Sequence, residues 1–192
     1  MNEKREKCDE CTTTYIAAEN GHVECLEYLV ANDICNGSLT WDPITTYYAA
    51  ANGHKECLEY CVANNCPFDP ETTFGAAKYG HKECLEYCVK NNCPWDPETT
   101  LAAAMNGRKE ILEYCVKNNC AWHPATTYAA ALTGHKECLE YIFENGKDFV
   151  SWEDSQLEEH RDRYSKEIQQ YLLSVKEEWQ WYSERCQFIK GQ

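Results

Sequence analysis

Four residues near the start of the chain have the types and spacing of a metal site. Cys8 and Cys11 are three positions apart, and so are His22 and Cys25. Thiolates and an imidazole at such spacing are typical of tetrahedral zinc. However, the His22 and Cys25 pair recurs at His54 and Cys57, where no pair of cysteines precedes it. A structural role is therefore favoured, and we predict no metal and no cofactor.

The chain contains 14 cysteines, and their positions indicate packing rather than chemistry. Two sets recur at matching positions, and each set also accepts a large aliphatic residue. The first set is Cys25, Cys57, Cys84 and Cys138, with Ile111 as its exception; the second is Cys61, Cys88 and Cys115, with Leu29 and Ile142 as its exceptions. Free cysteine behaves as a small buried hydrophobe in such positions. With no apolar secretory signal after Met1, reduced thiols and a cytoplasmic location (host cytoplasm if the protein is viral) are expected.

Other kinds of chemistry find little support. Catalysis needs a unique constellation of polar groups in a pocket, whereas nearly every polar group here has near-copies along the chain. The net charge of −14 argues against binding to a phosphate backbone. No apolar run approaches the roughly 20 residues needed to span a bilayer. We therefore predict that the protein is not an enzyme and binds neither nucleic acid nor membrane.

The polar groups recur because the whole sequence repeats. Pairs of threonines begin five similar units, and a glycine follows each pair. The pairs begin at Thr13, Thr45, Thr72, Thr99 and Thr126, and the glycines are Gly21, Gly53, Gly80, Gly107 and Gly134. The step is 32 residues once and 27 residues thereafter. A fixed period of this length predicts a stacked array of repeats.

Each unit predicts two helices. In the fourth unit Asp96 suits the helix N-cap, Pro97 the first helical position and Gly107 a left-handed residue past the helix end. The apolar residues Ile111 and Cys115, with their neighbours, then form one stripe along a second helix. One unit alone cannot bury that stripe, but stacked units form a continuous core.

The second half of the unit resembles the ankyrin repeat. Residues 80–89 read Gly-His-Lys-Glu-Cys-Leu-Glu-Tyr-Cys-Val, similar to the ankyrin run Gly-His-x-x-Val-Val-x-Leu-Leu-Leu, and Thr-Thr-x-x-Ala-Ala is similar to Thr-Pro-Leu-His-x-Ala-Ala. The short period resembles ankyrin-like repeats common in giant DNA viruses and some protists. The resemblance implies an all-α solenoid of five helix-turn-helix units.

Two departures from the ankyrin pattern are visible. Alanines stand near the place of the first-helix histidine: Ala49, Ala76, Ala103 and Ala130. The unit is also about six residues shorter than the usual 33, which argues against β-hairpin fingers in units two to five. One finger-like loop is expected around Asn36-Gly37-Ser38, because Asn-Gly favours a tight turn.

We divide the chain into a polar segment (1–11), the repeat array (12–150) and a helical C-terminal segment (151–192). The last segment has an apolar stripe at helical spacing, made up of Tyr164, Ile168, Tyr171, Val175, Trp179, Tyr182, Cys186 and Ile189. Two interpretations are open. The segment caps the end of the array, which the bulky rings favour, or it pairs with another chain as a coiled coil.

An aromatic residue accompanies each loop: Trp41, Phe68, Trp95, Trp122 and Phe149. These rings either pack against successive helix starts, as a hydrophobic staple does, or present an aromatic edge to partners.

Comparing the five units with one another suggests where a partner binds. Three positions of the first helix vary most, and they share one helix face. The residues chosen there are Ile16, Glu19, Tyr48, Asn52, Lys78, Tyr79, Met105, Asn106, Leu132 and Thr133. The resemblance implies that this helix lines a concave groove. We therefore predict a scaffold that binds a protein partner through this face; the alternative is a structural protein that self-associates through its C-terminal helix.

Overall fold

The computed structural model describes residues 12–32, 41–145 and 160–176. Within these ranges it is helical, with no strand. Ten α-helices form five antiparallel pairs: α1 Thr14–Glu19, α2 Val23–Ala31, α3 Ile44–Ala51, α4 Lys55–Ala63, α5 Thr72–Tyr79, α6 Lys82–Lys90, α7 Thr99–Met105, α8 Lys109–Lys117, α9 Thr126–Thr133 and α10 Lys136–Asn145. A 3₁₀ turn (Arg161–Arg163) and helical residues 166–176, which we label α11, follow. The five-unit solenoid is thus confirmed.

The first helix of the fourth unit begins slightly later than its sequence suggests. Asp96 and Pro97 were expected to cap and open α7, but α7 begins at Thr99. The Asp96 carboxylate accepts the Glu98 N–H at 2.7 Å, and the Thr99 hydroxyl donates to the Asp96 carbonyl at 2.9 Å. Residues 96–99 therefore form a separate turn ahead of the helix. The helix end agrees with the sequence, since Gly107 has φ +67°.

Small residues let the first helices pack closely. The alanines at their centres are fully buried, among them Ala50, Ala76 and Ala103. The contacts between consecutive first helices are more extensive than those between consecutive second helices. Because one row of helices is closer than the other, the array must curve toward the first helices, which places them on its inner side. The second helices contribute a fully buried leucine at the same position of every unit: Leu26, Leu58, Leu85, Leu112 and Leu139.

A ladder of buried threonine hydroxyls joins consecutive first helices. The four hydroxyl pairs are Thr14 with Thr45 (2.9 Å), Thr46 with Thr72 (3.0 Å), Thr73 with Thr99 (3.1 Å) and Thr100 with Thr126 (3.3 Å). Three of these hydroxyls also accept a backbone N–H from the next unit, as Thr73 does from Asp96 at 2.9 Å. The threonine pairs therefore set the register between units.

The recurring cysteines are buried, in agreement with the sequence. The ten cysteines within the described ranges are free and buried. Burial raises the pKa of the Cys57 thiol to about 12 and those of Cys84 and Cys138 to about 11. For Cys61, a hydrogen bond with the thiol of Cys66 is the largest cause of a raised pKa, and burial adds to it. Such thiols are protonated and unreactive at neutral pH.

The recurring histidines lock each unit onto the glycine of the unit before it. A Cβ on Gly21 would lie 2.6 Å from Nδ1 of His54, and one on Gly107 would lie 2.6 Å from Nδ1 of His135. His54 also places Nε2 3.1 Å from the Glu19 carbonyl oxygen. Arg108 takes the same place over Gly80. The structural role expected for these histidines is therefore interlocking of the units.

The C-terminal segment covers the last unit. Tyr164, Ile168, Leu172 and Val175 are buried. The Tyr164 ring meets Tyr128 edge-on at 6.5 Å, and the Tyr171 ring lies 6.1 Å from Phe143. The helical cap is therefore present over residues 160–176.

Several expectations lie outside the described residues. They concern Cys8 and Cys11, the turn at Asn36-Gly37-Ser38, Phe149, and the stripe residues Trp179, Tyr182, Cys186 and Ile189. Within the described ranges, no helix combines the length and apolar character needed to cross a bilayer.

Candidate functional site

The candidate site is the exposed part of the first helices, which we call the inner surface. The turns that hold it are fixed by the threonine ladder and by the glycine–histidine contacts. The inner surface therefore lies on the more closely packed row of helices.

The predicted residues nearest the ends of these helices are exposed. Tyr79, Met105 and Leu132 are 47%, 45% and 42% exposed. Among large apolar residues in the described ranges, Leu173 on α11 is the other one that is exposed. Met105 and Leu132 occupy the same position of units four and five, and Tyr79 lies one position later in unit three. We call these three exposed residues, at or next to the ends of consecutive first helices, the apolar row.

The predicted polar residues here have capping roles. The side-chain amides of Asn52 and Asn106 donate to the carbonyls of Tyr48 and Ala102 at 2.9 and 2.8 Å. The Thr133 hydroxyl donates to the Ala129 carbonyl at 2.7 Å. These side chains are exposed, but each one satisfies a backbone carbonyl at the end of a helix, which explains why such residues recur.

One of the three variable positions is largely a packing position. Gly75, Ala102 and Ala129 occupy it in units three to five, and all three are buried. Ile16 and Tyr48 occupy it in the first two units and are half-buried. Tyr48 stacks on Tyr15 with ring centroids 5.8 Å apart and meets Tyr47 edge-on at 5.4 Å. Tyr48 therefore supports the fold as well as lining the surface, which the sequence comparison did not anticipate.

A neighbouring position was missed altogether. It holds Tyr15, Tyr47, Phe74, Leu101 and Tyr128, all half-buried. Tyr15 and Tyr47 extend toward the next unit: Tyr15 stacks on Tyr48, and a Cβ on Gly75 would lie 2.9 Å from the Tyr47 ring. The sequence does mark this position, because it holds a large apolar residue in every unit. A comparison that looks for variation between units misses it for the same reason.

Lys78 is held against two rings of the inner surface. Its Nζ lies 5.5 Å from the Phe74 centroid and 5.3 Å from the Tyr79 centroid, both cation–π distances. Glu19, at the same position of the first unit, is exposed. The inner surface therefore combines rings and aliphatic groups with isolated charges.

Carboxylates line the edge at which the first helices begin. Glu71, Asp96 and Glu98 surround Phe74 in an open cleft of about 310 Å³. Burial, followed by the charge of the nearby Tyr79 and Glu71, raises the pKa of the Tyr47 hydroxyl. This edge therefore carries negative charge beside aromatic rings.

Of the four residues with metal-like spacing, His22 and Cys25 lie in the described part of the chain. The described residues contain no cluster of three or more His, Cys, Asp or Glu residues that could hold an ion. His22 is the N-cap residue of α2, and Cys25 is buried one turn later.

The aromatic residues Trp41, Phe68, Trp95 and Trp122 are half-buried against the core. Trp41, for example, donates its Nε1–H to the Asn64 carbonyl at 2.8 Å, at the end of α4.

Comparisons with known proteins agree with this architecture. The family model described as ankyrin repeats (3 copies) matches residues 1–73 and 73–151. The fold is similar to the crystal structure of the human ASB11 ankyrin repeat domain, with a TM-score of 0.67 and 19% identity, over 84% of this chain and 82% of that chain. No curated protein matches the sequence significantly. The chain belongs to the ankyrin repeat family.

Proposed function

We propose that this protein is a non-enzymatic scaffold that binds a protein partner through the inner surface. The observation that carries the proposal is the row of exposed Tyr79, Met105 and Leu132 on consecutive first helices. Exposed large apolar side chains on three consecutive first helices favour an interface. Aromatic residues and methionine are also enriched in interfaces.

The flanks of the row support a polar rim. Lys78 lies beside Tyr79, and the capping residues Asn106 and Thr133 follow Met105 and Leu132. An apolar centre with polar surroundings is the usual anatomy of a transient interface. Tyr79, Met105 and Leu132 are therefore the proposed anchors, and the remaining predicted residues provide complementarity.

Self-association through the C-terminal helix is the alternative. In the described part of that segment, Tyr164, Ile168 and Leu172 are buried. Their packing against the protein's own last unit leaves Leu173, which is 40% exposed, as the large apolar residue that α11 offers to another copy. Within the described residues the inner surface offers three such side chains, and on that basis we favour a different protein as partner. The buried free thiols suit a reducing compartment, and we place this function in the cytoplasm.

Affinity capture from the native cell extract tests the proposal. The bait is the wild type, a triple variant (Tyr79→Ser, Met105→Ser, Leu132→Ser) and the matched control Leu173→Ser, with capture read by quantitative mass spectrometry. We expect a partner that is retained by the wild type and Leu173→Ser and lost with the triple variant. Equal capture by all three baits would place binding elsewhere, and recovery of the bait alone would favour self-association.

A further inference from the structure

The C-terminal cap repeats the second helix of the ankyrin-like unit. Residues 166–173 read Lys-Glu-Ile-Gln-Gln-Tyr-Leu-Leu, and residues 109–116 of the fourth unit read Lys-Glu-Ile-Leu-Glu-Tyr-Cys-Val. In this alignment Ile168 corresponds to Ile111 and Leu172 to Cys115, and all four are buried. The cap therefore shares most of the sequence pattern of a second helix.

An ion pair supports the same alignment. Lys82 of the third unit pairs with Glu110 of the fourth at 3.4 Å. Lys136, the counterpart of Lys82 in the fifth unit, pairs with Glu167 of the cap at 3.5 Å. Glu167 thus occupies the place that Glu110 takes at an ordinary junction between units.

Two residues of the alignment break the pattern: Gln169 stands in the place of the buried Leu112, and Ser165 differs just ahead of the helix. Ser165 stands where the ordinary units have His54, His81, Arg108 or His135. Its hydroxyl accepts the Ile168 N–H at 3.3 Å, so it serves as the helix cap. A serine side chain is too short to reach the glycine of the preceding unit as a histidine or an arginine does.

Among the described residues, no side chain replaces the missing histidine or arginine at the last junction. At the other four junctions an imidazole or guanidinium lies over the glycine, but no side chain of the described residues comes within 4 Å of a Cβ built on Gly134. The cavity there has a volume of about 460 Å³ and is lined by Gly107, Gly134, His135, Lys136, Glu137, Cys138, Glu140 and Glu167.

The cavity favours a cation with directional donors. Three carboxylates, those of Glu137, Glu140 and Glu167, line the cavity. The one ammonium there, that of Lys136, is shared between Glu140 at 3.7 Å and Glu167 at 3.5 Å, so negative charge is in excess. At other junctions the inserted ring also reaches a backbone carbonyl, as His54 reaches that of Glu19. The corresponding carbonyl at the last junction belongs to Leu132. A planar guanidinium satisfies both requirements and already fits over Gly80 as Arg108.

We propose that the cavity over Gly134 is a binding site for an arginine side chain of a protein partner. The site reproduces the contact that Arg108 makes inside the array, with the partner supplying the group that Ser165 does not. It uses the backbone carbonyl of Leu132 but none of the side chains of Tyr79, Met105 and Leu132, so it does not rest on the function proposed for those side chains.

The test is a titration followed by ¹⁵N-resolved NMR of the full chain. The probe is the peptide acetyl-Gly-Arg-Gly-amide, and the control is the same peptide with citrulline, which keeps the shape but removes the charge. We expect saturable shifts of the Gly134 and His135 amides with the arginine peptide, and at least tenfold weaker binding of the citrulline peptide.

Two variants make the test specific to the cavity. Ser165→Arg supplies the guanidinium from the chain itself and should abolish the saturable shift at Gly134. Ser165→Ala loses the same helix cap and should retain the shift. The proposal is overturned if the wild type shows no saturable shift at Gly134, or if Ser165→Arg binds the arginine peptide as the wild type does.

Discussion

The imidazole of His54 lies directly over Gly21, with its Nδ1 2.6 Å from the point that a Cβ on Gly21 would occupy. The same contact recurs between His135 and Gly107, where Gly107 has φ +67°. Each glycine therefore meets two requirements, a left-handed backbone and close approach of a side chain from the next unit. Gly134 meets the first requirement alone.

This difference between glycines gives a first prediction. Gly134→Ala should cost about 1 kcal/mol of unfolding free energy, which is the strain of a left-handed alanine. Gly107→Ala should cost a further 1–3 kcal/mol or so, because its methyl group overlaps the His135 ring. Urea unfolding followed by circular dichroism measures both. Equal costs would mean that the His135 ring moves aside freely.

The leucine of each second helix gives a second prediction. Leu112 is fully buried, so Leu112→Ala should cost about 2–5 kcal/mol through lost contacts and a residual cavity. Met105→Ala, at a 45% exposed position, should change the unfolding free energy by less than about 0.5 kcal/mol. A large loss of stability in Met105→Ala would show that this side chain belongs to the core and not to a binding surface.

The threonine ladder gives a third prediction. Thr73→Val keeps the side-chain shape but removes the hydroxyl that pairs with Thr99 and accepts the Asp96 N–H. Leaving these buried groups without their partner should cost about 1–3 kcal/mol. Thr73→Ser retains the hydroxyl and serves as the control in the same denaturation experiment. If Thr73→Val is as stable as Thr73→Ser, the ladder contributes no net stability.

The pH dependence gives a fourth prediction. Burial lowers the pKa of His81 below its usual 6.5, and the charges of His54 and Arg108 act in the same direction, against a hydrogen bond to the Ala51 carbonyl. Since the folded-state pKa is depressed, the unfolded chain binds more protons below about pH 6.5. Stability should therefore fall as the pH is lowered from that value through the folded-state pKa.

The control for this effect is His81→Gln, which keeps an N–H donor but does not titrate. Unfolding free energies of both proteins are measured between pH 7.5 and pH 5. The advantage of the wild type over the variant should shrink toward pH 5. Parallel curves would exclude His81 as a source of the pH dependence.

Much of the fold could be read from the sequence because stacked units repeat their constraints. Gly107 and Leu112 each have copies in every unit, and a requirement stated five times is easy to recognise. The start of α7 was misplaced for a local reason. Asp96 and Pro97 fit a helix start, but the Thr99 hydroxyl pulls residues 96–99 into a turn.

The candidate site was harder to predict, because variation between units has two causes. Met105 and Leu132 vary at exposed positions. Gly75 and Ala102 vary at a position that must fit the ring of the preceding unit, and are buried. Phe74 does not vary in character and was missed. A comparison of units cannot separate these cases, since the space left by a neighbouring ring exists only in the folded array.

The open junction over Gly134 was also invisible in the sequence. Ser165 lies 30 residues after His135, whereas the units recur every 27. The ion pair of Lys136 with Glu167 shows instead that the cap corresponds to a second helix, because Glu167 takes the place that Glu110 has in the fourth unit.

The most direct test of the proposed function is an affinity measurement by isothermal titration calorimetry. The partner identified by capture is titrated into the wild type, into the triple variant of Tyr79, Met105 and Leu132, and into Leu173→Ser. Loss of interface anchors typically costs about 2 kcal/mol or more, so the triple variant should bind at least roughly 30-fold more weakly. Leu173→Ser should bind as the wild type does. An unchanged affinity in the triple variant, with its unfolding curve intact, would contradict binding through the inner surface.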